Sequence, residues 1–261
     1  MTHRAPVLLA VALCAAPSVA RAQTMLDQQQ QLIDIHSLLL DLPPVQAPAA
    51  LSSGTLGVSL EGVTIPDING MTGSKTQITA SDRTPVYPRP RLMLGLPAPQ
   101  RFRAFVGLSY IPPFEINGVS TNYIAGEGGF GFAPGVFRVG ARLHGVYAIA
   151  KSPVTDPNTR DTLETKEWGA DLSVGARLRW KAIDLDFEPY AGAGAVLLEG
   201  RFRVTSDGTV LRSDYTGAAV QGGIRLVFRS RWEFVTEVDA YPGRLVHTNF
   251  RIGYLFGLFG G

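Results

Sequence analysis

Apolar and polar residues alternate along the chain from Arg138 onward, and Trp168–Trp180 shows the pattern most clearly. In that segment the even positions carry Trp, Ala, Leu and Val, whereas the odd positions carry Gly, Asp, Ser and Arg. A period of two residues predicts β-strands, because successive side chains of a strand point to opposite faces. We therefore expect one face of each strand in an apolar environment and the other in a polar one.

Turns and loops divide the alternating region into ten predicted strands. Short connections at 97–100, 133–135, 181–182 and 230–231 alternate with longer polar ones, and only 242–244 breaks this alternation in length. Short periplasmic turns and longer outer loops are typical of transmembrane β-barrels. The predicted strands are 54–65, 88–96, 101–111, 121–132, 136–149, 166–180, 183–203, 211–229, 232–241 and 245–256.

The predicted outward positions carry aromatic residues at both ends of the strands, with Ala, Val and Leu between them. Two such bands match the two interfaces of a bilayer. The predicted fold class is therefore all-β: a closed antiparallel transmembrane β-barrel of ten strands. Eight strands is the alternative, because Pro88 and Pro90 weaken the second strand and glycines weaken the fourth. A secreted or periplasmic β-sandwich is the alternative class. The aromatic positions are Phe102, Phe132, Phe137, Trp180, Phe187, Phe228, Trp232, Phe234, Tyr254 and Phe256 at one end, and Tyr110, Tyr147 and Trp168 at the other.

Residues 1–22 have the features of a secretory signal peptide. Arg4 precedes an apolar run over 7–16, and Ala-Arg-Ala at 20–22 precedes Gln23. The run is too short to span a bilayer as a helix. Cys14 is the sole cysteine of the sequence and lies in this segment, so we expect no disulfide in the mature chain. An exported barrel points to the outer membrane.

The rest of the chain divides into an N-terminal segment, 23–53, and a barrel domain, 54–261. We predict a short helix over 24–42, ended by Pro43 and Pro44, followed by a linker rich in Ala, Pro and Ser. Three placements of the helix stay open at this point. It either plugs the lumen, lies along the inner leaflet, or hangs in the periplasm.

The last strand carries a family resemblance. Arg251–Leu258 resembles the C-terminal assembly signal of outer-membrane proteins, with a polar residue, Gly253, and the aromatic Phe256 before a hydrophobic residue. That signal usually ends at a terminal aromatic, whereas here Phe259 is followed by two glycines. The resemblance is to small bacterial outer-membrane β-barrels, a porin-like superfamily of eight to ten strands. It implies outer-membrane lipid and the barrel assembly machinery as partners.

Charged residues fall on predicted inward positions rather than in one basic patch. The net charge is +2, with 20 Arg and four Lys, and this distribution argues against nucleic-acid binding. In a narrow lumen, opposed charges are expected to pair and fill the core; a selective channel lined by the same groups is the alternative. Hairpin alignments through Lys181-Ala182, and with Phe228 opposite Phe234, predict the pairs Arg177–Asp186, Arg179–Asp184, Arg225–Glu237 and Arg229–Glu233.

Catalytic and metal chemistry find little support in the sequence. His247 is expected to oppose Asp239 near the outer rim, and a His–Asp pair can do acid–base work, yet no inward Ser accompanies it. No metal-binding motif appears, and no cofactor is expected. The sequence therefore favours a non-enzymatic outer-membrane barrel, structural or passing small or lipophilic solutes. The alternatives are a rim hydrolase using His247 and Asp239, and an adhesin-like barrel acting through loops 66–87 and 150–165.

Overall fold

A computed structural model describes residues 33, 37, 38, 45–49, 51–64, 88–116, 119–152 and 158–258. Within these ranges the chain forms strands and one short 3₁₀ turn at Lys181–Ile183. In the described part of the chain no helix has the length and apolar composition needed to cross a membrane. The strands are β1 (Thr55–Thr64), β2 (Pro88–Leu96), β3 (Phe102–Ile116), β4 (Val119–Phe132), β5 (Phe137–Ser152), β6 (Asp161–Ala176), β7 (Leu178–Trp180), β8 (Leu185–Arg203), β9 (Val210–Phe228), β10 (Trp232–Tyr241) and β11 (Leu245–Gly257).

The strands close into a barrel in which each strand pairs antiparallel with its neighbours. β1 pairs with β11 through ten residue pairs, and β6 pairs with β8, so the sheet closes on itself. β7 continues β6 after Arg177, and both pair with β8. The described strands therefore occupy ten positions around the barrel. The prediction of an antiparallel ten-stranded barrel is confirmed, and the eight-stranded alternative is wrong because β2 and β4 are both present.

The connections define two ends of the barrel. At the turn end lie the short connections 97–101, 133–136, 181–184 and 229–231; the loop end carries the other connections. The hairpin of β3 and β4 extends toward the loop end beyond its predicted limits, through an irregularity between Ile111 and Phe114. Pro112 and Pro113 fall at this irregularity, since proline has no N–H to donate to the ladder.

The two faces of the sheet differ as the alternation predicts. On β6, Trp168 and Leu172 leave 69% and 67% of their surface exposed on the outside. Their neighbours Asp171 and Ser173 are buried in the lumen. Aromatic rings contact one another on the outer face near the turn end, as Phe102 does with Phe130 and Phe132. The barrel is thus apolar outside and polar inside.

The predicted turn at Lys181-Ala182 is longer than expected, and the register of β7 with β8 differs as a result. Lys181–Ile183 forms a 3₁₀ turn, and Asp184 follows in the left-handed conformation with φ 49°. Arg179 therefore lies opposite Asp186 rather than Asp184. The shift is two residues, so each side chain still faces the side that was predicted.

The turn between β9 and β10 also differs from its predicted form. Phe228 lies opposite Trp232 rather than Phe234. Arg229 and Ser230 both have positive φ, and the Arg231 N–H donates to the Phe228 carbonyl at 3.1 Å. Such tight turns usually carry Asn-Gly or Asp-Gly, and Arg-Ser gives no such signal.

Two predictions concern residues that lie largely or wholly outside the described ranges. The signal peptide over 1–22 lies outside them. The helix over 24–42 does too, apart from Ile33, Ser37 and Leu38, and it is not established by the structure. Those three side chains are buried.

Candidate functional site: the barrel lumen

Residues 45–49 of the N-terminal segment lie inside the barrel at its turn half. Val45 and Ala47 pack against Tyr190 and Val235, which point inward from β8 and β10. All four side chains are buried. Of the three placements left open by the sequence, the lumen is the one that the described residues occupy.

Lumen glycines leave the room that this segment needs. A Cβ at Gly131 would lie 2.6 Å from the Cβ of Ala49, and one at Gly140 would lie 3.0 Å from the Cα of Pro48. Distances of 3.0 Å or less leave no space for a side chain. The segment and the glycines of β4 and β5 therefore fit one another.

The backbone of the segment is held by two buried arginines. Arg91 Nη1 and Arg251 Nη1 each donate to the Val45 carbonyl oxygen at 2.5 Å. Arg91 Nη2 also donates to the Gln46 side chain at 3.0 Å. A carbonyl that leaves water needs replacement donors, and here both are charged, which makes these bonds stronger than neutral ones.

Glu61 on β1 balances the arginines around Val45. Its carboxylate accepts from Arg89, and from Arg91 Nη1 at 2.5 Å; Arg251 Nη1 lies 3.8 Å away. Arg89 also donates to the Tyr123 hydroxyl at 2.5 Å. Four of these side chains are fully buried: Glu61, Arg89, Arg91 and Arg251. Their charges are therefore stabilised by one another rather than by water.

From Arg91 the network continues along β4, β5 and β6. Glu127 forms ion pairs with Arg91 and, at 3.6 Å, with Arg142. Arg142 Nη2 lies 2.7 Å from Asp171. His144 Nε2 lies 3.1 Å from Glu167. Most of these contacts join neighbouring strands along the inner wall of the barrel.

On the other side the network continues along β8, β9 and β10. Glu233 lies 3.1 Å from Arg251 and accepts from Arg225 Nε at 2.5 Å. Arg225 Nη1 also donates to Glu188 at 2.5 Å. The charged groups therefore extend along the inner wall on both sides of Val45, from Asp171 on β6 to Glu188 on β8.

Two of the predicted charge pairs involve other partners. Arg225 was expected to pair with Glu237, but it bonds to Glu233 and Glu188, while Glu237 accepts from the Tyr190 hydroxyl at 2.6 Å. Arg229 was expected to pair with Glu233, but its guanidinium lies over the Phe228 ring at 5.0 Å. The two-residue change of register between β9 and β10 is the reason.

The other two predicted pairs lie in contact at the turn end. Arg177 Nη2 is 2.5 Å from Asp186, and Arg179 Nη2 is 2.8 Å from Asp184. They meet diagonally, since the strand register itself is shifted. The arginine side chains are 37% and 51% exposed, so these pairs contact water, unlike the network around Val45.

The loop half of the lumen also holds an apolar cluster. Leu38 is fully buried among Val196, Leu198, Tyr241 and Leu245. Tyr215 and Ala219 pack against this cluster. The N-terminal segment therefore contacts both halves of the lumen.

His247 and Asp239 lie opposite each other, as the connection 242–244 predicts, and so do Asn249 and Glu237. His247 Nε2 is 3.2 Å from Asp239, and Asp239 accepts a hydrogen bond from Asn249 at 2.5 Å. His247 is only 2% exposed, and the ring of Tyr241 lies 5.8 Å away. The arrangement is a buried polar pair.

Metal ligation finds no support among the residues that the structure describes. No group of three or more His, Cys, Asp or Glu side chains there is arranged to hold an ion. On the outside, a shallow apolar groove of about 510 Å³ runs over small residues between Phe130, Leu143 and Leu172. It opens outward from the barrel wall, so it offers no route through the lumen.

Comparisons with known proteins give structural likeness only. No protein-family model matches the chain, and no curated protein sequence matches it. Among solved structures, the translocator domain of the autotransporter NalP from Neisseria meningitidis is 11% identical, with 89% of this chain and 95% of that chain covered and a TM-score of 0.44. The beta domain of the Bordetella autotransporter BrkA is 13% identical, with 78% and 98% covered and a TM-score of 0.39.

A transporter gives a similar result. The Pseudomonas putida toluene transporter TodX is 12% identical, with 79% of this chain and 69% of that chain covered and a TM-score of 0.34. In each case the likeness is limited to overall shape, and no activity is carried over. What this chain shows by itself is a closed ten-stranded barrel with its own N-terminal segment in the lumen.

Proposed function

We propose that the protein is a non-enzymatic β-barrel of the outer membrane whose lumen is held closed by its own N-terminal segment. One observation carries the proposal: the Val45 carbonyl lies buried in the lumen and accepts hydrogen bonds from Arg91 and Arg251. A segment bound in this way is part of the folded barrel. Passage of solutes then requires its displacement.

The outer face supports the placement in a membrane. Large apolar side chains are exposed all around the barrel, including Leu143 and Leu172 at 67% each and Val174 at 58%. Exposed apolar surface on this scale marks a membrane or protein contact, and a closed barrel satisfies its backbone polar groups without water. Outer-membrane lipid and, through β11, the barrel assembly machinery are the partners that this proposal implies.

The buried state of His247 argues against a rim hydrolase. Acid–base catalysis requires the imidazole to reach a substrate or a water, whereas His247 and Asp239 are 2% and 3% exposed. A structural His–Asp pair accounts for both residues. The adhesin-like alternative depends on loops 66–87 and 150–165. The first lies outside the described residues, and parts of the second belong to β5 and β6.

Conductance in planar lipid bilayers tests the closed lumen. The full chain should give no steady conductance, whereas deletion of residues 24–50 should give open channels. Gly140→Leu should have the same effect in a milder form, since a side chain there meets Pro48. Gly126→Leu is the matched control, because nothing lies within 4 Å of a Cβ at that position.

The heat-dependent shift of the folded barrel in gel electrophoresis shows that each variant is folded. A steady conductance of the full chain would contradict the proposal. So would a folded deletion variant that stays closed, since the charged side chains alone would then seal the lumen.

A further inference from the structure

We infer that three arginines on the outer face of the barrel, Arg201, Arg203 and Arg212, form a binding site for the phosphate groups of membrane lipid. The inference rests on the proposed function, which places the apolar outer face in a bilayer. In the proposed orientation the site faces the outer leaflet. It adds a lipid headgroup chemistry to the apolar contact described above.

The outer face of β8 changes character at Leu197. Its outward positions from Phe187 to Leu197 carry only Phe, Pro, Ala and Leu. This interval covers roughly 33 Å of strand, or about 25 Å along the membrane normal at the usual tilt, which is the height of one apolar band. Beyond Leu197 the outward positions are Glu199, Arg201 and Arg203, and all three are exposed. The arginines therefore lie at the level of the lipid headgroups.

The two strands beside β8 change at the same level. Trp168 on β6 lies opposite Leu197 and is 69% exposed. Thr216 on β9 lies opposite Leu197 on the other side, and Arg212 follows toward the loop end. An aromatic ring at the border between apolar and charged positions is typical of a bilayer interface. The border therefore continues across three neighbouring strands.

The arginines are placed so that they repel one another. Arg201 and Arg212 lie directly opposite each other in the ladder between β8 and β9, and both are exposed. Arg203 is two positions further along the same face of β8. Like charges at directly opposed positions are destabilising, unless an anion lies beside both. A phosphate is such an anion, since a guanidinium binds it through two parallel hydrogen bonds.

Carboxylates of the protein do not neutralise this group. The three arginines form no ion pair with the residues that the structure describes. Glu164 lies opposite Arg201 on β6, but its carboxylate is instead 3.5 Å from Lys166. The positive charge of the three guanidinium groups is therefore available to a ligand.

Two further carboxylates lie one level nearer to the apolar band. Glu199 and Asp214 are opposite each other on β8 and β9, and both are exposed. A carboxylate accepts hydrogen bonds from hydroxyl and amide groups. The two levels together fit a lipid whose phosphates lie further from its acyl chains than its hydroxyl and amide groups do.

Quenching of Trp168 by lipids with brominated acyl chains tests the site, because Trp168 lies on the same outer face. Trp180→Phe with Trp232→Phe leaves it as the one tryptophan of the full chain. The probes are phosphatidylcholine vesicles that contain brominated phosphatidic acid or, at the same mole fraction, brominated phosphatidylcholine. We expect stronger quenching by phosphatidic acid, whose headgroup is a phosphate monoester. This preference should fade as salt is added.

Neutralisation of the arginines should remove the preference. Arg201→Gln, Arg203→Gln and Arg212→Gln should each lower the relative association constant of phosphatidic acid about fivefold at low salt. The matched control removes three charges from exposed arginines at the turn end and should keep the preference: Arg101→Gln with Arg229→Gln and Arg231→Gln. The heat-dependent gel shift shows that each variant is folded. Native mass spectrometry of the unsubstituted chain in neutral detergent counts bound phosphatidic acid without any change of tryptophan.

The two proposals fail in different ways. Absence of quenching of Trp168 by both brominated lipids would overturn the membrane placement. Equal quenching by the two lipids, or an equal loss of preference in the control variant, would leave that placement standing and overturn the lipid site alone. Displacement of phosphatidic acid by millimolar inorganic phosphate, but not by chloride at the same ionic strength, would assign the arginines to a soluble anion and also overturn the site.

Discussion

The Arg–carboxylate contacts at the turn end and those around Val45 use the same chemical groups in different surroundings. Arg179 and Asp184 are each about half exposed, whereas Glu61 and Arg91 are completely enclosed. Water solvates the first pair whether or not it forms, so the pair adds little stability. In the second, each charge depends on its partner for solvation, so loss of one partner is costly. Burial, rather than the distance between the two charges, therefore determines how much each ion pair contributes to the stability of the fold.

Removal of Glu61 should have the largest effect. Glu61→Ala leaves Arg89 and Arg91 without their shared carboxylate, and we expect a loss of about 3–5 kcal/mol in the free energy of unfolding. Reversible unfolding in detergent or lipid vesicles measures it. Glu199→Ala, on the exposed face of β8, is the control and should change little. A loss below about 1 kcal/mol, the value of an exposed pair, would show that water reaches Glu61 and would remove the contrast between the two regions.

The lipid face supplies a reference for the cost of an unpaired charge. Leu172→Arg places one on the outside of β6, where Leu172 is 67% exposed, and should cost about 2–4 kcal/mol near the bilayer midplane. Ala182→Arg, in the exposed turn before β8, should be close to neutral. The same unfolding measurement applies. A neutral Leu172→Arg variant would mean that this face is not in lipid.

Asp186 should give an intermediate result, because its own side chain is buried but its partner Arg177 is 37% exposed. Asp186→Ala should cost roughly 1–3 kcal/mol, the usual penalty for removing a partner of a charged hydrogen bond. Arg177→Leu combined with Asp186→Leu should cost less than the sum of the single changes. Strict additivity in this double-mutant cycle would mean that the two side chains do not interact in the membrane.

The smallest effect belongs to Arg179 and Asp184. Their coupling energy should be about 0–1 kcal/mol and should fade as salt is added, because exposed charges are screened. A double-mutant cycle with Arg179→Ala and Asp184→Ala at low and high salt measures both. A coupling energy as large as that of the buried Glu61 network would contradict the conclusion that burial determines how much an ion pair stabilises the fold.

The sequence predicts the barrel well because each strand carries its own period-two pattern and each hairpin its own turn. The opposition of His247 and Asp239 follows from the short connection 242–244 alone. Local turn geometry is harder to predict from the sequence, because the left-handed Asp184 and the Arg229-Ser230 turn have no characteristic sequence. The resulting errors of two residues preserve the faces but change the partners, as Arg225 shows.

The network around Val45 cannot be predicted by aligning the residues of single hairpins. Arg91 and Arg251 meet at one carbonyl only because β1 pairs with β11 and closes the barrel. The segment itself reads as a linker, because Val45–Ala49 carries Ala and Pro without any periodicity. Inward glycines such as Gly131 and Gly140 are visible in the sequence, but the chain that they accommodate is specified only by the closed shape.

The seam between β1 and β11 has a consequence for how the molecule is made. The segment that fills the lumen leads directly into β1, and β1 is one side of the last ladder needed to complete the cylinder. Its residues Ala49 and Pro48 lie close against Gly131 and Gly140 on the inner wall. We expect the segment to be laid against the inner wall while the seam between β1 and β11 is still open. During biogenesis, placement of the segment in the lumen then precedes the pairing of β1 with β11.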